Sequence, residues 1–213
     1  KGMDTYALDY ETYYDKSCSI KTRGTLGYFS HPEFDAYMVS VVGDEGTSFV
    51  GHPKDFEWSK LEGQRVLSHN ASFDETLYLF GATKGWWPKV ECAEWHCTAD
   101  MAAYCGKPRA LKGAIEDVLG VVIDKSTRDN MSGKRWGNME LDFQKEVTEY
   151  ALKDSEYCLQ LWEKLAPKWP ERERQASRMN RRIVQRGLPI DIKLLKNQNE
   201  SIAKKLFDVE NTI

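Results

Sequence analysis

The sequence predicts an α/β protein: a mixed β-sheet flanked by helices and followed by a helical extension. Three segments with the alternation of β-strands come first, at residues 5–13, 37–43 and 47–51. A strand, a helix and another strand then follow at residues 65–69, 72–82 and 91–97. Because the first arrangement favours antiparallel pairing and the second favours parallel pairing, we expect both in one sheet, with helices on both faces.

Helical patterns fill most of the remaining chain. They cover residues 99–105, 109–119, 141–165 and 171–186, and the pattern over 141–165 allows one break. Thr98 is a favourable N-cap for the first of these helices, and Asp191 is placed to cap a last helix. Residues 124–139 are polar and rich in turn-forming types, which predicts a mobile loop.

Composition restricts the class of protein. The chain has 213 residues, 41% of them hydrophobic, which suits one globular domain of ordinary size with a short extension. No stretch approaches the roughly 20 apolar residues of a membrane span, and no apolar signal segment opens the sequence. The net charge of −3 argues against a protein that grips long duplex nucleic acid through its charge alone.

The five cysteines predict reduced thiols and a cytoplasmic location, because their number is odd and no secretion signal is present. Cys92, His96, Cys97 and Cys105 lie near one another in sequence and raise the alternative of a zinc site. Their spacing fits no common zinc arrangement, so buried, unliganded cysteines are the preferred interpretation.

Two acidic residues in the first strand are candidates for a metal site. Asp9 and Glu11 are two positions apart, so strand geometry places both carboxylates on one face. Two carboxylates on an apolar strand need a counter-charge, and divalent cations such as Mg²⁺ prefer oxygen ligands. The alternative is a solvated strand edge, and the same D-x-E spacing recurs at 154–156 and 208–210.

A second acidic element follows the fourth strand. Asn70 and Asp74 are four residues apart at the start of a helix, so they can share one face. The structural alternatives are a helix cap for Asn70 and a favourable interaction with the helix dipole for Asp74. The N-x3-D spacing also recurs, at Asn138 and Asp142, and is weak evidence alone.

The third element is a tyrosine one helical turn before an aspartate. Tyr150 and Asp154 form the only Y-x3-D in the chain, and this spacing projects the hydroxyl and the carboxylate together. Alone, the pair could equally be a core tyrosine beside a surface acid. The three elements in this order are far more specific than any one of them.

Together these motifs resemble those of the DEDD 3′→5′ exonucleases of the tyrosine subtype. The position five residues before Asp154 is Glu149, whereas the other subtype has a histidine there. The resemblance covers roughly residues 4–166 and implies a ribonuclease H-like fold. Within it, residues 8–16 (LDYETYYDK) resemble the opening of the proofreading domain in phage-encoded family A DNA polymerases, which implies the host cell cytoplasm as location.

The resemblance implies a catalytic site and a reaction. Asp9, Glu11, Asp74 and Asp154 would hold two divalent ions, Mg²⁺ or Mn²⁺, across the scissile phosphate. Tyr150 would orient the attacking water or a phosphate oxygen, because its ordinary pKa near 10 makes it a poor base. Nucleoside 5′-monophosphates would be released from single-stranded or frayed DNA 3′ ends, as in proofreading.

Contacts to nucleic acid are predicted at two places. Thr12, Asn70 and Phe73 would line the pocket for the 3′-terminal nucleotides, with stacking on unpaired bases. Four basic residues of the polar loop could hold backbone phosphates: Lys125, Arg128, Lys134 and Arg135. The alternative for these four is a solvated basic loop.

The end of the chain resembles a different part of the same polymerases. Residues 186–191 (RGLPID) resemble the segment with which the polymerase body begins. We therefore predict an exonuclease domain at 1–168 and the start of a polymerase body at 169–213, both from a longer protein. A free-standing exoribonuclease and an inactive nucleic-acid-binding scaffold remain as alternatives.

Overall fold

The computed structural model describes residues 2–124 and 126–212 and contains a five-stranded sheet. The strands are β1 (Thr5–Thr12), β2 (Ala36–Gly43), β3 (Ser48–Gly51), β4 (Arg65–Ser68) and β5 (Glu94–Cys97). Their order across the sheet is β3-β2-β1-β4-β5, which places β1 at the centre. The β1–β2 and β2–β3 pairs are antiparallel, whereas β1–β4 and β4–β5 are parallel. The mixed sheet predicted from the sequence is confirmed.

Eight α-helices connect and follow the strands in the described residues. They are α1 (Ile20–Phe29), α2 (Ala71–Lys84), α3 (Thr98–Tyr104), α4 (Leu111–Leu119), α5 (Ser126–Asp129), α6 (Leu141–Leu165), α7 (Glu171–Arg186) and α8 (Ile192–Glu210). None of the helices in this part of the chain has the length and apolar character needed to cross a membrane.

The two faces of β1 enter different cores because alternate side chains of a strand point to opposite sides. Tyr6, Leu8 and Tyr10 point into a large aromatic cluster that includes residues of α2. On the other face, Ala7 packs in a second cluster with residues of α3, α4 and α6. The long helix α6 therefore covers the face of the sheet on which Asp9 and Glu11 lie.

Most predicted elements are present, and the differences have physical causes. Helix α1 was not predicted, because two glycines and two threonines leave its sequence with low helix propensity. Gly24 indeed interrupts it, with a φ of 68°. Helix α6 runs unbroken from Leu141 to Leu165. The polar segment 124–139 contains α5 and a short 3₁₀ turn at Trp136–Asn138.

The predicted capping role of Thr98 is wrong. Thr98 lies within the first turn of α3, whose N-cap is Cys97 without a side-chain capping bond. The Thr98 hydroxyl is instead 2.9 Å from His69 Nδ1 and 3.3 Å from Cys158 Sγ. Asp191, by contrast, caps α8 as predicted: its Oδ1 accepts a hydrogen bond from the Leu194 amide at 2.9 Å.

The chain divides into two compact units, one up to Arg181 and one from Arg182 onward. The first unit extends past residue 168 because the start of α7 packs on it. Ser177 donates to Asp100 Oδ2 at 2.5 Å, and Arg181 pairs with Glu75 at 2.7 Å while only 4% exposed. The functional boundary at 168/169 stays a prediction.

Candidate functional site

The central strand β1 fixes the first two acids. Asp9 and Glu11 alternate with buried Leu8 and Tyr10, so both carboxylates lie on the α6 side of the sheet. On the neighbouring strand β2, Ser40 stands opposite Asp9. This register brings a small polar side chain beside the first carboxylate and leaves room for the helix above it.

Ser40 also ties α6 to the sheet. Its hydroxyl donates to the Ala151 carbonyl at 2.8 Å and accepts from the Ser155 hydroxyl at 2.6 Å. Ser40 and Ser155 are fully buried. Because Ala151 and Ser155 flank Asp154 on the helix, these two bonds fix the position of Asp154 above β1.

Asp74 lies in the first turn of α2, the helix that follows β4. It is 2% exposed, and its Oδ1 accepts a hydrogen bond from the Tyr10 amide at 3.1 Å. The turn from β4 into α2 passes through Asn70, whose φ of 71° and ψ of 53° are left-handed. Asparagine tolerates this conformation better than most residues. The Asn70 side chain does not cap the helix, so its place here is explained by the turn.

Tyr150 and Asp154 lie one turn apart on α6, as the spacing predicts. The Tyr150 hydroxyl donates a hydrogen bond to the Asp154 carboxylate, and this bond opposes the rise in the Asp154 pKa. Burial, followed by the charges of Asp154, Glu11 and Asp9, raises the pKa of Tyr150 well above its ordinary value. Tyr150 therefore keeps its proton at neutral pH and can donate a hydrogen bond, but it cannot act as a base.

A single cavity of about 960 Å³ brings these residues together. It is lined by the four carboxylates and Tyr150, and also by three residues predicted to contact nucleic acid, Thr12, Asn70 and Phe73. These residues come from three separate parts of the sequence, 9–12, 70–74 and 150–154, and meet at the end of β1. Their roles in catalysis and binding stay predictions.

Burial raises the pKa of all four carboxylates, and the charges of neighbouring carboxylates add to the rise at Asp9 and Glu11. Burial is the first cause, and it raises the pKa of Glu11 and of Asp74 to about 8 and that of Asp154 to about 6. The pKa of Asp9 lies well above its ordinary value because of burial and then of the Asp74, Glu11 and Asp154 charges. Like charges this close need a strong positive counter-charge to be ionised together.

The donor set fits a hard divalent cation. All four acids offer carboxylate oxygens, which are the ligands that Mg²⁺ and Mn²⁺ prefer. Within residues 2–124 and 126–212, no three acidic, histidine or cysteine side chains already stand as a ligand set for one ion. A bound ion would therefore have to draw the carboxylates of this cavity toward itself.

The cysteine-rich segment gives no alternative metal centre within the described residues. The described cysteines are all unpaired, and Cys97 is buried while Cys92 and Cys105 are partly buried. His96 instead pairs with Glu94, at 2.9 Å from Nε2 to Oε2. The interpretation of these residues as unliganded side chains stays a prediction.

One cation of the polar segment reaches the cavity. Arg128 of α5 lines it. Partial burial lowers the pKa of Arg128, but the facing Tyr150, Glu11 and Asp9 outweigh this, so its pKa is raised. The Tyr14 hydroxyl donates to the Arg128 carbonyl at 3.0 Å and so links α5 to the segment that follows β1.

Lys134 and Arg135 lie outside the cavity lining and have partners of their own. Lys134 Nζ lies 4.3 Å from the centre of the Phe143 ring. The Arg135 guanidinium stacks 4.1 Å from the centre of the Tyr13 ring and pairs with Glu33. The predicted phosphate contacts of these two residues stay predictions. Lys125, predicted with them, lies outside the described residues.

Sequence reasoning missed several residues that line the cavity. Among them are His69, Arg109, Lys112, Tyr28 and Lys21. His69 had a visible signal, since it directly precedes Asn70. Its Nε2 donates to the Arg109 carbonyl at 2.8 Å, so its Nδ1 accepts from the Thr98 hydroxyl. Burial lowers the pKa of His69 to about 4, so it stays neutral and clamps the Arg109 segment beside the site.

Comparison with known proteins gives similar structures only. No protein-family model matches the chain, and no curated protein sequence matches it. RNase D of Escherichia coli, described as an exoribonuclease involved in structured RNA processing, matches with a TM-score of 0.56 and 20% identity. The match covers 87% of this chain and 46% of RNase D, so the chain spans about half the length of that protein.

NrnC of Brucella melitensis is similar over most of its own length. The TM-score is 0.57 at 16% identity, over 86% of this chain and 82% of NrnC. A second NrnC structure, with bound Mg²⁺, matches with a TM-score of 0.54 at 16% identity, over the same shares of the two chains. Identities this low show the fold alone. The ribonuclease H-like fold predicted from the sequence, a mixed sheet flanked by helices, is confirmed.

Proposed function

We propose that this chain is a metal-dependent 3′→5′ exonuclease that releases nucleoside 5′-monophosphates. The observation that carries the proposal is the meeting of Asp9, Glu11, Asp74 and Asp154 with Tyr150 in one cavity. Burial opposes the ionisation of all four acids, so the clustered carboxylates do not stabilise the folded chain unless a cation binds them. A site for divalent ions and a phosphate explains why the acids are gathered there.

The carboxylates, Tyr150 and the groups that hold them have distinct tasks in this reaction. The four carboxylates would hold Mg²⁺ or Mn²⁺, whose chemistry when bound is to activate a water and to stabilise the leaving 3′-oxygen. The Tyr10 amide holds Asp74 in place, and the Ser40 bonds hold the helix that carries Asp154. With Asp154 engaged by an ion, the Tyr150 hydroxyl would be free to donate its hydrogen bond to the water or a phosphate oxygen and so orient it. The Mg²⁺ bound by NrnC supports the choice of ion.

Nucleic acid would enter as a single strand. Phe73 offers an aromatic face to an unpaired base, and Thr12 and Asn70 lie beside it in the cavity lining. Arg128 would face a backbone phosphate, since it is a cation beside the carboxylates. A mismatched end frays more easily than a paired one, so this arrangement favours single-stranded or frayed 3′ ends.

We further propose that the substrate is DNA and that the reaction is proofreading within a family A polymerase of phage type. Support comes from residues 8–16 and 186–191, which resemble the proofreading domain and the start of the polymerase body. By this proposal residues 169–213 begin a covalently linked polymerase. The description of RNase D as an exoribonuclease favours RNA as the second candidate substrate.

An inactive scaffold is the third candidate, and the cost of the acids argues against it. A binding module has no need to gather four carboxylates whose pKa values are all raised by burial. Such a site destabilises a fold unless a ligand offsets the cost.

The test uses two 5′-labelled single-stranded oligomers of the same sequence, one DNA and one RNA, with Mg²⁺ and with EDTA. We expect a ladder that shortens from the 3′ end of DNA, needs Mg²⁺ and disappears in the Asp74→Asn variant. A faster ladder on RNA would move the proposal to an exoribonuclease. No ladder on either oligomer, with Mg²⁺ or Mn²⁺, would support the scaffold.

A further inference from the structure

Two tyrosine hydroxyls in the described residues are buried without a hydrogen-bond partner, those of Tyr10 and Tyr37. Such orphaned groups are rare, because a phenylalanine in the same place would avoid the loss of hydration. The Tyr10 ring stacks 5.3 Å from Trp87 in the aromatic cluster, on the face of β1 away from the acids. Tyr37 instead packs against α6, on the side of the sheet that carries the acids.

A β-bulge brings Tyr37 to the acidic face. In the pairing of β1 with β2, Glu11 stands opposite Met38 and Thr12 stands opposite Ala36, so Tyr37 is the extra residue. Regular alternation would send Tyr37 and Met38 to opposite faces. Both instead pack in one cluster with Val147 and Ala151 of α6. Bulges commonly re-aim a side chain next to an active site.

The bulge places Tyr37 next to Met38, the residue that stands opposite Glu11 across the two strands. The Tyr37 ring stacks on Trp136 at 5.9 Å, and the cluster around it is mainly methionine, valine and aromatic side chains. Burial raises the pKa of Tyr37, and the charge of Glu11 is the next cause. The hydroxyl therefore stays protonated, and it can donate a hydrogen bond to a nearby acceptor.

The geometry points to Tyr37 as a positioning residue that donates its hydroxyl to the Glu11 carboxylate when Glu11 binds a divalent ion. This inference rests on the proposed metal site. Carboxylates that bind metals are themselves held by hydrogen bonds, and loss of such a partner weakens metal binding by roughly 10- to 100-fold. The bulge and the buried Tyr37 hydroxyl then serve one purpose, which is to orient the Glu11 carboxylate.

The test measures Mn²⁺ affinity by calorimetry on the full chain without nucleic acid. We expect Tyr37→Phe to bind Mn²⁺ roughly 10-fold more weakly, while the melting temperature of the metal-free chain stays the same or rises. Tyr78→Phe is the matched control, because the Tyr78 hydroxyl donates to the Val90 carbonyl at 3.1 Å on the other face of the sheet. We expect a lower melting temperature and unchanged Mn²⁺ affinity for the control.

A double-mutant cycle decides whether the hydroxyl acts through Glu11. In a Glu11→Gln background, Tyr37→Phe should cause no further loss of Mn²⁺ affinity. Unchanged affinity of Tyr37→Phe, or an equal loss in both backgrounds, would overturn the inference and leave the proposed function standing. If the unmodified chain binds no Mn²⁺ at all, the proposed function fails and this inference fails with it.

Discussion

The two faces of strand β1 do opposite things for the protein. On one face, the centre of the Tyr10 ring lies 5.3 Å from that of Trp87, and the centre of the Trp87 ring lies 5.6 Å from that of Trp58, in a buried aromatic cluster. On the other, Asp9 and Glu11 face two further carboxylates in a cavity of about 960 Å³. The aromatic face stabilises the fold by burying apolar area. The acidic face lowers stability until a ligand offsets the repulsion between its charges.

The comparison teaches how one strand serves both purposes. Along β1, side chains that stabilise the core alternate with side chains that line the cavity. The backbone that carries Asp9 and Glu11 is therefore held in place by the aromatic rings packed on its opposite face. The Tyr10 amide adds a direct link, because it donates to Asp74 across the site. Variants of the two faces should therefore differ in kind: one set should change activity, the other stability.

The largest effect is expected at Asp9. Asp9→Asn removes one predicted metal ligand and should lower the rate of nucleotide release by about 10³-fold or more, since bound ions contribute several kcal/mol to such reactions. The melting temperature of the metal-free chain should not fall, because a repelling charge is lost. The measurement is release from a 5′-labelled oligomer with Mg²⁺, beside a thermal melt.

Asp142→Asn is the matched control for Asp9→Asn. Asp142 belongs to the second N-x3-D pair of the sequence, and its side chain is 94% exposed on α6. We expect its activity to equal that of the unmodified chain. Equal losses in the two variants, or a fully active Asp9→Asn, would remove Asp9 from the site.

The second prediction concerns the aromatic face. Trp58 is 2% exposed, and its indole donates to the Pro53 carbonyl at 2.8 Å. Trp58→Ala should lower the free energy of unfolding by about 3–5 kcal/mol. The folded protein, assayed well below its melting temperature, should keep its Mn²⁺ affinity. A large loss of Mn²⁺ affinity without loss of stability would show that the two faces are not separate.

How far the sequence could predict this division differs between the faces. The strand and its alternation were predictable because period-two patterning depends on local sequence. The set of four acids was predicted from the resemblance of three motifs, in their order, to those of a known family. The cavity lining was predicted only in part. His69 could have been suspected because it directly precedes Asn70, but Arg109 lies in a loop whose carbonyl accepts a hydrogen bond from His69 Nε2. A single sequence carries no signal for that contact across 40 residues.

The basic segment shows the same limit. Arg128, Lys134 and Arg135 look alike in sequence, yet only the first of these three lines the cavity. Lys134 lies over Phe143 and Arg135 over Tyr13, two partners that are set by tertiary packing. The bulge at Tyr37 is likewise invisible in the sequence, since it depends on the register between two strands.

The third prediction is a pH dependence that belongs to the acidic face alone. The pKa of Asp74 is about 8 in the folded chain, against about 4 for an ordinary aspartate, so in between the folded chain holds a proton that the unfolded chain has lost. Stability without metal should therefore fall as the pH rises toward 8, by about 1.4 kcal/mol per pH unit for each such carboxyl.

The window from about pH 6.5 to 8 is the informative one. Burial lowers the pKa of His69 and of His96 to about 4, so below about pH 6.5 these histidines make stability rise with pH and mask the carboxylates. Melting temperatures in EDTA should fall across the window, and Asp74→Asn should flatten the slope. A flat profile for the unmodified chain would contradict the raised pKa of Asp74.

The fourth prediction sharpens the role of Tyr150. Tyr150→Phe keeps the ring and removes the hydroxyl that donates to Asp154, so the rate should fall by roughly 10- to 100-fold, the range for groups that orient a metal site. Because Tyr150 holds its proton throughout the neutral range, the shape of the pH–rate profile should not change. Loss of an alkaline limb from the profile would mean that Tyr150 acts as an acid or base instead.

The smallest effect is expected at Arg128, which lines the cavity beside the acids, and none is expected at Lys134, which packs against Phe143. Arg128→Ala should weaken binding of a single-stranded oligomer and lower the slope of log affinity against log salt by about 0.7, the value for one lost phosphate contact. Lys134→Ala is the matched variant from the same segment, and we expect no change in its slope because Lys134 lies over Phe143. Binding is measured in Ca²⁺ at several salt concentrations, so that cleavage does not interfere. If Lys134→Ala lowers the slope and Arg128→Ala does not, then the backbone phosphate is bound outside the cavity, as the sequence alone suggested for Lys134. The acidic face of β1 would then bind only the 3′ end of the oligomer.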